Sequence, residues 1–384
     1  MTAVAQAGTQ PGTETVVAGS HWRLSGTGIA ARGLAYLGLA AVLFLPWFAT
    51  DFSKTCSLAV IYALMGLSLN IVVGYTGQLS LGHQGFLGLG ALVTANVVFQ
   101  AHLPIWLAMA FGVLATTAVA LVLGLVALRI TGLYLSLITL VFGSAISSSL
   151  FALARFTDNN SGVKISRPSY LADNGDWYLV CVAVLLVIFY LDYRLTVSKV
   201  GRALLALKEN ERVAEAFGIG VTAYKLLAFA LSGAIAGLAG GLYAFRGELY
   251  SEKDFQDPNG FTLALLFVVM CVVGGLGNRL GVVVAGLFFG LINELLDDLF
   301  YWHAVRSWMQ HVPLLGSYYD SDVKASYLAS LIGALLLLQT LIFNRGGLGA
   351  QLRPIARWMT GHRFELHDEA GSGPAAVEGS SVRA

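Results

Sequence analysis

The sequence predicts an all-α, polytopic helical membrane protein of about ten transmembrane helices with one polar cytoplasmic loop, and three observations carry that prediction. Apolar residues make up 57% of the chain and charged residues 12%, whereas a soluble domain has roughly 25% charged. Apolar stretches of about 16 to 24 residues recur along the chain, close to the roughly 20 that cross a bilayer as helix. These stretches do not alternate polar with apolar, as transmembrane β-strands do. A mean hydropathy of +0.72 excludes a soluble domain.

Taken in order, the spans fall at 33–50, 56–74, 85–100, 104–128, 134–154, 177–193, 224–245, 261–275, 281–297 and 326–343. They form one transmembrane domain over 33–343. Residues 1–32 read as a flexible cytoplasmic tail, and 344–384, ending in Gly, Ser and Ala, as a second, largely flexible one. The first 22 residues carry no basic run ahead of an apolar core, so no signal cleavage is expected. Alternation from a cytoplasmic N-terminus puts fifteen of the 23 Lys and Arg residues inside, among them Arg129, Arg194, Arg202, Arg279 and Arg345. The positive-inside rule then places both termini in the cytoplasm.

Several chemistries drop out. Cys56, Cys181 and Cys271 are isolated and odd in number, and the seven histidines form no His-x-x-x-His or Glu-x-x-His spacing, so neither a disulfide frame nor a metal site is indicated. No Gly-Lys dipeptide occurs, so the loop that cradles ATP phosphates is absent. No cofactor is expected. Gly275-Leu276-Gly277 followed by Gly281 misses the dinucleotide spacing by one residue and follows a span, not a strand. Carboxylates such as Asp51, Asp158, Asp192, Glu294 and Asp297 are expected in loops or at span ends, which weighs against proton coupling through the membrane. A sodium-coupled carrier stays open, since backbone carbonyls with Asn or Ser can hold Na⁺. A membrane-embedded enzyme needs His and carboxylates converging at one depth, and the sequence offers no such set.

Glycine is partly organised. Gly233, Gly237 and Gly241 recur every fourth residue in the seventh span, and Gly286 and Gly290 in the ninth, which suits close helix packing. Between the second and third spans Thr76, Gln78, Ser80, His83 and Gln84 interrupt the apolar text from Gly74 to Ala91. Such a stretch is either a cytoplasmic turn or a broken helix lining a water-filled path. With Asn70 these residues form the candidate translocation path. A second glycine-rich break, from Val272, carries Asn278 and Arg279 and faintly echoes Val72-Val73-Gly74.

The charge-dense loop at 194–223 reads as two short amphipathic helices. Ser198 caps the first, Lys199 to Glu209; Asn210 caps a second that ends at Gly218; Thr222 caps the seventh span. Leu204, Leu205 and Leu207 give the first an apolar side, and Val213, Ala214 and Phe217 the second, while Arg202, Lys208, Glu209, Glu211 and Arg212 face water or a partner. On pattern alone the loop is either a solvated connector or a protein-docking plug.

Three blocks resemble the inner-membrane permeases of branched-chain amino-acid ABC importers, the LivM type. The first is Gly201-Arg202-Ala203-Leu204, Lys208-Glu209-Asn210-Glu211, Ala214, Gly218-Ile219 and Tyr224-Lys225, running into Ala228-Phe229, Ser232 and Ala236-Gly237-Leu238-Ala239-Gly240. The others are Leu69-Asn70 through Gly77 with Ser80-Leu81-Gly82-His83, and Gly274-Gly275-Leu276-Gly277. The likeness covers roughly residues 56 to 290; the 298–325 loop, with Trp302 and Trp308, lies outside it. The resemblance implies a prokaryotic plasma-membrane permease with a second homologous permease, two cytoplasmic ATPase subunits and an external solute-binding protein. The loop from Gly201 to Gly218 then carries the coupling helix. It implies leucine, isoleucine or valine as solute, with urea or short amides as the alternative. A zwitterion's carboxylate is expected to meet helix N-termini near Gly74 to Gly85.

Overall fold

The computed structural model describes residues 45–48, 50–130, 132–152, 163–246, 249–250, 262–301, 335, 338–339 and 346–352. It is an all-α membrane-protein architecture. Helix α1 runs Thr50–Leu69 and passes directly into a π-helical turn, Asn70–Tyr75. Helices α2 (His83–Ala101), α3 (Ile105–Ala127), α4 (Leu133–Ala152) and α5 (Asn174–Val197) follow. Two short helices, α6 (Lys199–Glu209) and α7 (Glu211–Ala216), precede α8 (Val221–Ala244), α9 (Thr262–Gly274) and α10 (Arg279–Tyr301). The strand content among the described residues is one two-residue antiparallel pair, Val163 opposite Tyr250 and Lys164 opposite Leu249.

Length and composition make α1 with its π turn, α2, α3, α5 and α8 long and apolar enough to cross a membrane. Apolar runs in α4, α9 and α10 are shorter, and the predicted first and tenth spans lie largely outside the described residues. The predicted eighth span is shorter still. Helix α9 has 13 residues, about 20 Å at 1.5 Å per residue, against a hydrocarbon core of about 30 Å.

Packing distinguishes a centre from a rim. In α1, 94% of the central apolar window is buried inside the protein, against 33% in α3 and 28% in α5. Helix α1 is therefore the column around which the others assemble, and α3 and α5 turn most of their apolar surface outward, as lipid-facing helices do. Small residues set the contacts. A Cβ on Gly286 would lie 2.7 Å from the Ala63 backbone nitrogen, and Gly290 meets Ala59 one turn earlier in α1, so α10 runs antiparallel to α1. Helix α8 lies antiparallel to α3 and parallel to α2, with Gly237 against Val113 and Thr116 on one side and against Gly90 on the other.

At the end opposite the short helices, Arg167 ties three elements together. Its guanidinium donates to the carbonyls of Phe245 and Arg246 and to Asn174 Oδ1, and stacks 5.4 Å from the Trp177 ring centroid.

Candidate functional site

The charged loop folds locally as its capping residues dictate. Ser198 Oγ accepts from the Gly201 amide at 3.3 Å and opens α6; Asn210 Oδ1 accepts from the amides of Arg212 and Val213 at 3.1 and 3.2 Å and opens α7. Gly218 closes α7 with φ at +80°, the left-handed conformation that glycine adopts without a Cβ penalty. Thr222 does not cap α8. That helix starts one residue earlier at Val221, and the N-cap position falls on Gly220, which has no side chain to offer.

The apolar residues of the two short helices divide by face. Leu204, Leu207 and Ala214 are buried, whereas Leu205, Val213 and Phe217 are exposed, Phe217 by 83%. Leu204 packs with Ile71 and Tyr75 of the π turn and with Ala228 of α8. Gly201 can sit in α6 because the backbone of Leu195 and Thr196 presses on the space a Cβ would fill. Ala203 is buried beside it, while Arg202, Lys208 and Glu209 are exposed.

Glu211 departs from expectation. Instead of facing solvent alone, it takes both carboxylate oxygens to the Lys225 ammonium, at 2.7 and 2.8 Å. Lys225, in the first turns of α8, is 3% exposed, and a buried ammonium needs such a partner. The pair fastens α7 to α8.

Between α1 and α2 the chain is broken inside the protein. The Asn70 side chain leaves the helical ladder and its Oδ1 accepts the Gly277 amide at 2.8 Å, joining the first glycine-rich break to the second. Gly74 permits that approach, because a Cβ there would lie 2.7 Å from the Gly277 nitrogen. Thr76 Oγ1 and the Gln78 amide both donate to the Val72 carbonyl that the unwinding frees, at 2.6 and 3.2 Å. Residues 77–82 then run without helix until α2 starts at His83.

Thr76, Gln78, Ser80, His83 and Gln84 are each at most 6% exposed, whereas Gly77 and Leu79 between them are exposed. His83 shares a hydrogen bond with Ser80 Oγ through Nδ1 at 3.1 Å and with Ser232 Oγ through Nε2 at 2.8 Å; Ser232 Oγ in turn lies 3.1 Å from Ser68 Oγ. Both amide atoms of Gln78, Gln84 Oε1 and Asn70 Nδ2 have no hydrogen-bond partner. Ser232 lies eleven residues beyond Val221, the start of α8, about 16 Å along that helix, so His83 and the first turn of α2 sit deep in the bundle. Unpaired backbone at such depth is tolerated only where protein or a polar cavity surrounds it.

The charged loop and the break touch. The Lys208 side chain lies against Gly77, whose φ is +71°, and its ammonium approaches Gly277. On α8, Lys225 and Ser232 are seven residues apart, two turns on one face and about 10 Å along the axis. One helix therefore joins the Glu211 ion pair to the His83 hydrogen-bond chain.

The three seventh-span glycines all face neighbouring helices. Gly233 abuts Ala120 and Thr116, Gly237 abuts Thr116 and Val113, and Gly241 abuts Met109 and Thr94. A groove of about 310 Å³ runs along the opposite half of α2, lined by Leu89, Leu92, Val93, Asn96 and Val97, away from the His83 cluster. Among the described residues no three His, Cys, Asp or Glu side chains cluster as metal ligands would.

Sequence reasoning missed Ser232 as the partner of His83, and Ser68 as the partner of Ser232; the available signal was a hydroxyl in each of two apolar spans. It also misplaced Asp192. Helix α5 continues to Val197, so Asp192 lies within it, 3% exposed and accepting from the Tyr75 hydroxyl at 2.8 Å.

The family described as branched-chain amino acid transport system / permease component matches residues 52–339. The high-affinity branched-chain amino acid transport system permease protein LivM of Escherichia coli (strain K12) is 32% identical over 63% of this chain, and the LivM of Salmonella typhimurium is 31% identical over the same share. Each alignment spans 63% of the length of the relative. The LivH permease protein of Salmonella typhimurium is 24% identical over 65% of this chain and 86% of its own length.

Proposed function

The chain belongs to the family of permease components of branched-chain amino acid transport systems, and on that premise we propose that it is the membrane permease of an ATP-driven importer moving branched-chain amino acids inward. In this reading an external binding protein delivers the solute and two separate ATPase subunits supply the energy. A second, homologous permease completes the pore. Both termini lie in the cytoplasm of a prokaryote, on the side of α6 and α7.

One observation carries the mechanism: the charged loop is fastened to the broken helix on one side and bare on the other. Its inner face, Leu204 and Lys208, rests on the π turn and on the two glycine breaks. Its outer face presents Leu205, Val213 and Phe217 amid Arg202, Glu209 and Arg212, an apolar centre with a charged rim as protein interfaces have. ATP-driven closure of the ATPase pair shifts the membrane helices only through contacts that differ between states. Gly201, Arg202, Ala203, Leu204, Lys208, Glu209, Asn210, Glu211, Ala214 and Gly218 supply the contact or hold its shape. Asn70, Thr76, Gln78, Ser80 and His83 line the path, where the unpartnered amide atoms of Gln78 and Gln84 offer hydrogen bonds to a passing solute. Gly233, Gly237 and Gly241 set the helix spacing around that path.

Reconstitution tests the proposal. Liposomes containing this chain, its second permease and the two ATPases, given the external binding protein, should accumulate radiolabelled leucine, isoleucine or valine only when ATP is supplied on the loop side. Uptake by this chain alone, driven by a sodium gradient and indifferent to ATP, would replace the proposal with a secondary carrier.

A further inference from the structure

Asp192 of α5 and Arg279 of α10 both lie near the π turn of α1, and each ends in an atom without a hydrogen-bond partner, Asp192 Oδ1 and Arg279 Nη1. The two do not form an ion pair here. The ion pair recorded among the described residues joins Lys225 to Glu211. Asp192 instead accepts from the neutral Tyr75 hydroxyl at 2.8 Å, and the Arg279 guanidinium stacks 5.0 Å from the ring centroid of Tyr193. Arg279 nonetheless lies near enough for its charge to act on both Asp192 and Tyr75.

Opposite charges held near each other in a protein interior, each satisfied by a weaker neutral partner, are an unfinished pair. A buried carboxylate oxygen and a buried guanidinium nitrogen are costly to leave unpaired in a low-dielectric setting. Closing them together removes both costs, and a phenol or an aromatic ring is surrendered more cheaply than a charge. What occupies the Asp192 carboxylate is the Tyr75 hydroxyl, and Tyr75 belongs to a π turn, a helical irregularity that often marks functional sites.

The coupling segment bears on the same turn. Leu204 of α6 packs directly on Ile71 and Tyr75, and Ser198, which opens α6, lies six residues after Asp192. Pressure on the exposed face of α6 therefore reaches the phenol through Leu204 and the carboxylate through the end of α5.

We propose that Asp192 and Arg279 form a partner-exchanging ion pair: open in the conformation described here, held open by Tyr75, and closed when ATP-driven docking on α6 displaces the phenol from the carboxylate. Tyr75, Asp192 and Arg279 then act as positioning residues that set the balance between the two access states. They do not contact solute. The inference rests on the permease reading and adds to it a switch located outside the His83 cluster.

The test uses the complete reconstituted complex. D192N and R279Q should each lower ATP-dependent uptake by about tenfold, and the exchanged pair D192R with R279D should recover most of it, because the effects of two residues in one charge pair are coupled and not additive. Y75F, which preserves both charges, should raise ATP hydrolysis in the absence of solute while leaving yield unchanged. Proximity is read separately. In a background lacking Cys56, Cys181 and Cys271, D192C with R279C should cross-link with a short bifunctional thiol reagent much faster in the ATP-trapped complex than in the nucleotide-free one. A charge exchange no better than either single variant at matched abundance, or cross-linking indifferent to nucleotide, overturns the switch while leaving the permease reading intact. Wild-type uptake that ignores ATP overturns both.

Discussion

Gly237 offers the sharpest quantitative test, because it is closed in from two sides. A Cβ there would lie 2.8 Å from Thr116 Cβ and 3.1 Å from Val113 Cα on α3, while Gly90 of α2 approaches its own backbone. Ordinary carbon contacts are about 3.5 to 4.0 Å, so even alanine forces α3 and α8 apart by nearly 1 Å, a gap that forfeits a quarter to a half of each contact's attraction. Spread over about 60 atom contacts of roughly 0.15 kcal/mol each, the loss is about 2 to 4 kcal/mol. Helix propensity returns about 1 kcal/mol when glycine becomes alanine. Gly237→Ala should therefore destabilise by about 1 to 3 kcal/mol, within the usual range for overpacking, and Gly237→Leu should prevent normal assembly. Gly220 is the internal control: it flanks the same helix, and nothing lies within 4 Å of the Cβ it would gain. Gly220→Ala should cost only glycine's advantage over alanine at an N-cap, no more than about 1 kcal/mol. The assay is thermal unfolding of the purified chain in one detergent, with size-exclusion yield for the leucine variant. If Gly237→Ala melts at or above wild type, or Gly237→Leu assembles and transports normally, the packing argument is wrong.

Three further outcomes are expected. Glu211→Gln leaves the Lys225 ammonium, 3% exposed, without its charge partner; because Glu211 itself is 40% exposed, the cost should be about 1 to 3 kcal/mol, below the 3 to 5 of a fully buried pair, and solute-stimulated ATP hydrolysis should fall with uptake. Phe217→Ser should leave the unfolding temperature unchanged, since the ring is 83% exposed, yet loosen the ATPase subunits during purification, as removal of an interface anchor does; full retention of those subunits at wild-type uptake would make the loop a mere connector. In a cysteine-free background, a cysteine replacing exposed Tyr170 should react with an impermeant maleimide added outside intact cells, and one replacing exposed Asn210 only after permeabilisation. External labelling at Asn210 would reverse the assigned orientation.

What the sequence disclosed, it disclosed through local rules. Ser198 and Asn210 place the two short helices because capping is decided by one side chain and the backbone amides beside it. Predicted and observed ends of α2 and α3 agree within two residues, since polar and apolar text changes abruptly at His83 and Pro104. Non-local geometry was not legible. Asn70 reads as one more polar residue in a span, and only the approach of Gly277, 207 positions away, explains the π turn. Ser68 and Ser232 carry no pattern that pairs them with a histidine, because a hydroxyl in an apolar helix more often bonds its own backbone. Asp192 was placed at a span end, a placement that hydropathy favours and the Tyr75 hydroxyl overrides.

The late start of α2 has a consequence for the bundle's cross-section. Through the stretch nearest α6 and α7, the place a helix would fill is taken by residues 77–82, which carry no helix and so lack its ladder of i→i−4 hydrogen bonds. The two ends of the bundle are therefore tied unequally: near Arg167 several hydrogen bonds converge on one guanidinium, whereas beside Lys208 no helical ladder stiffens that place.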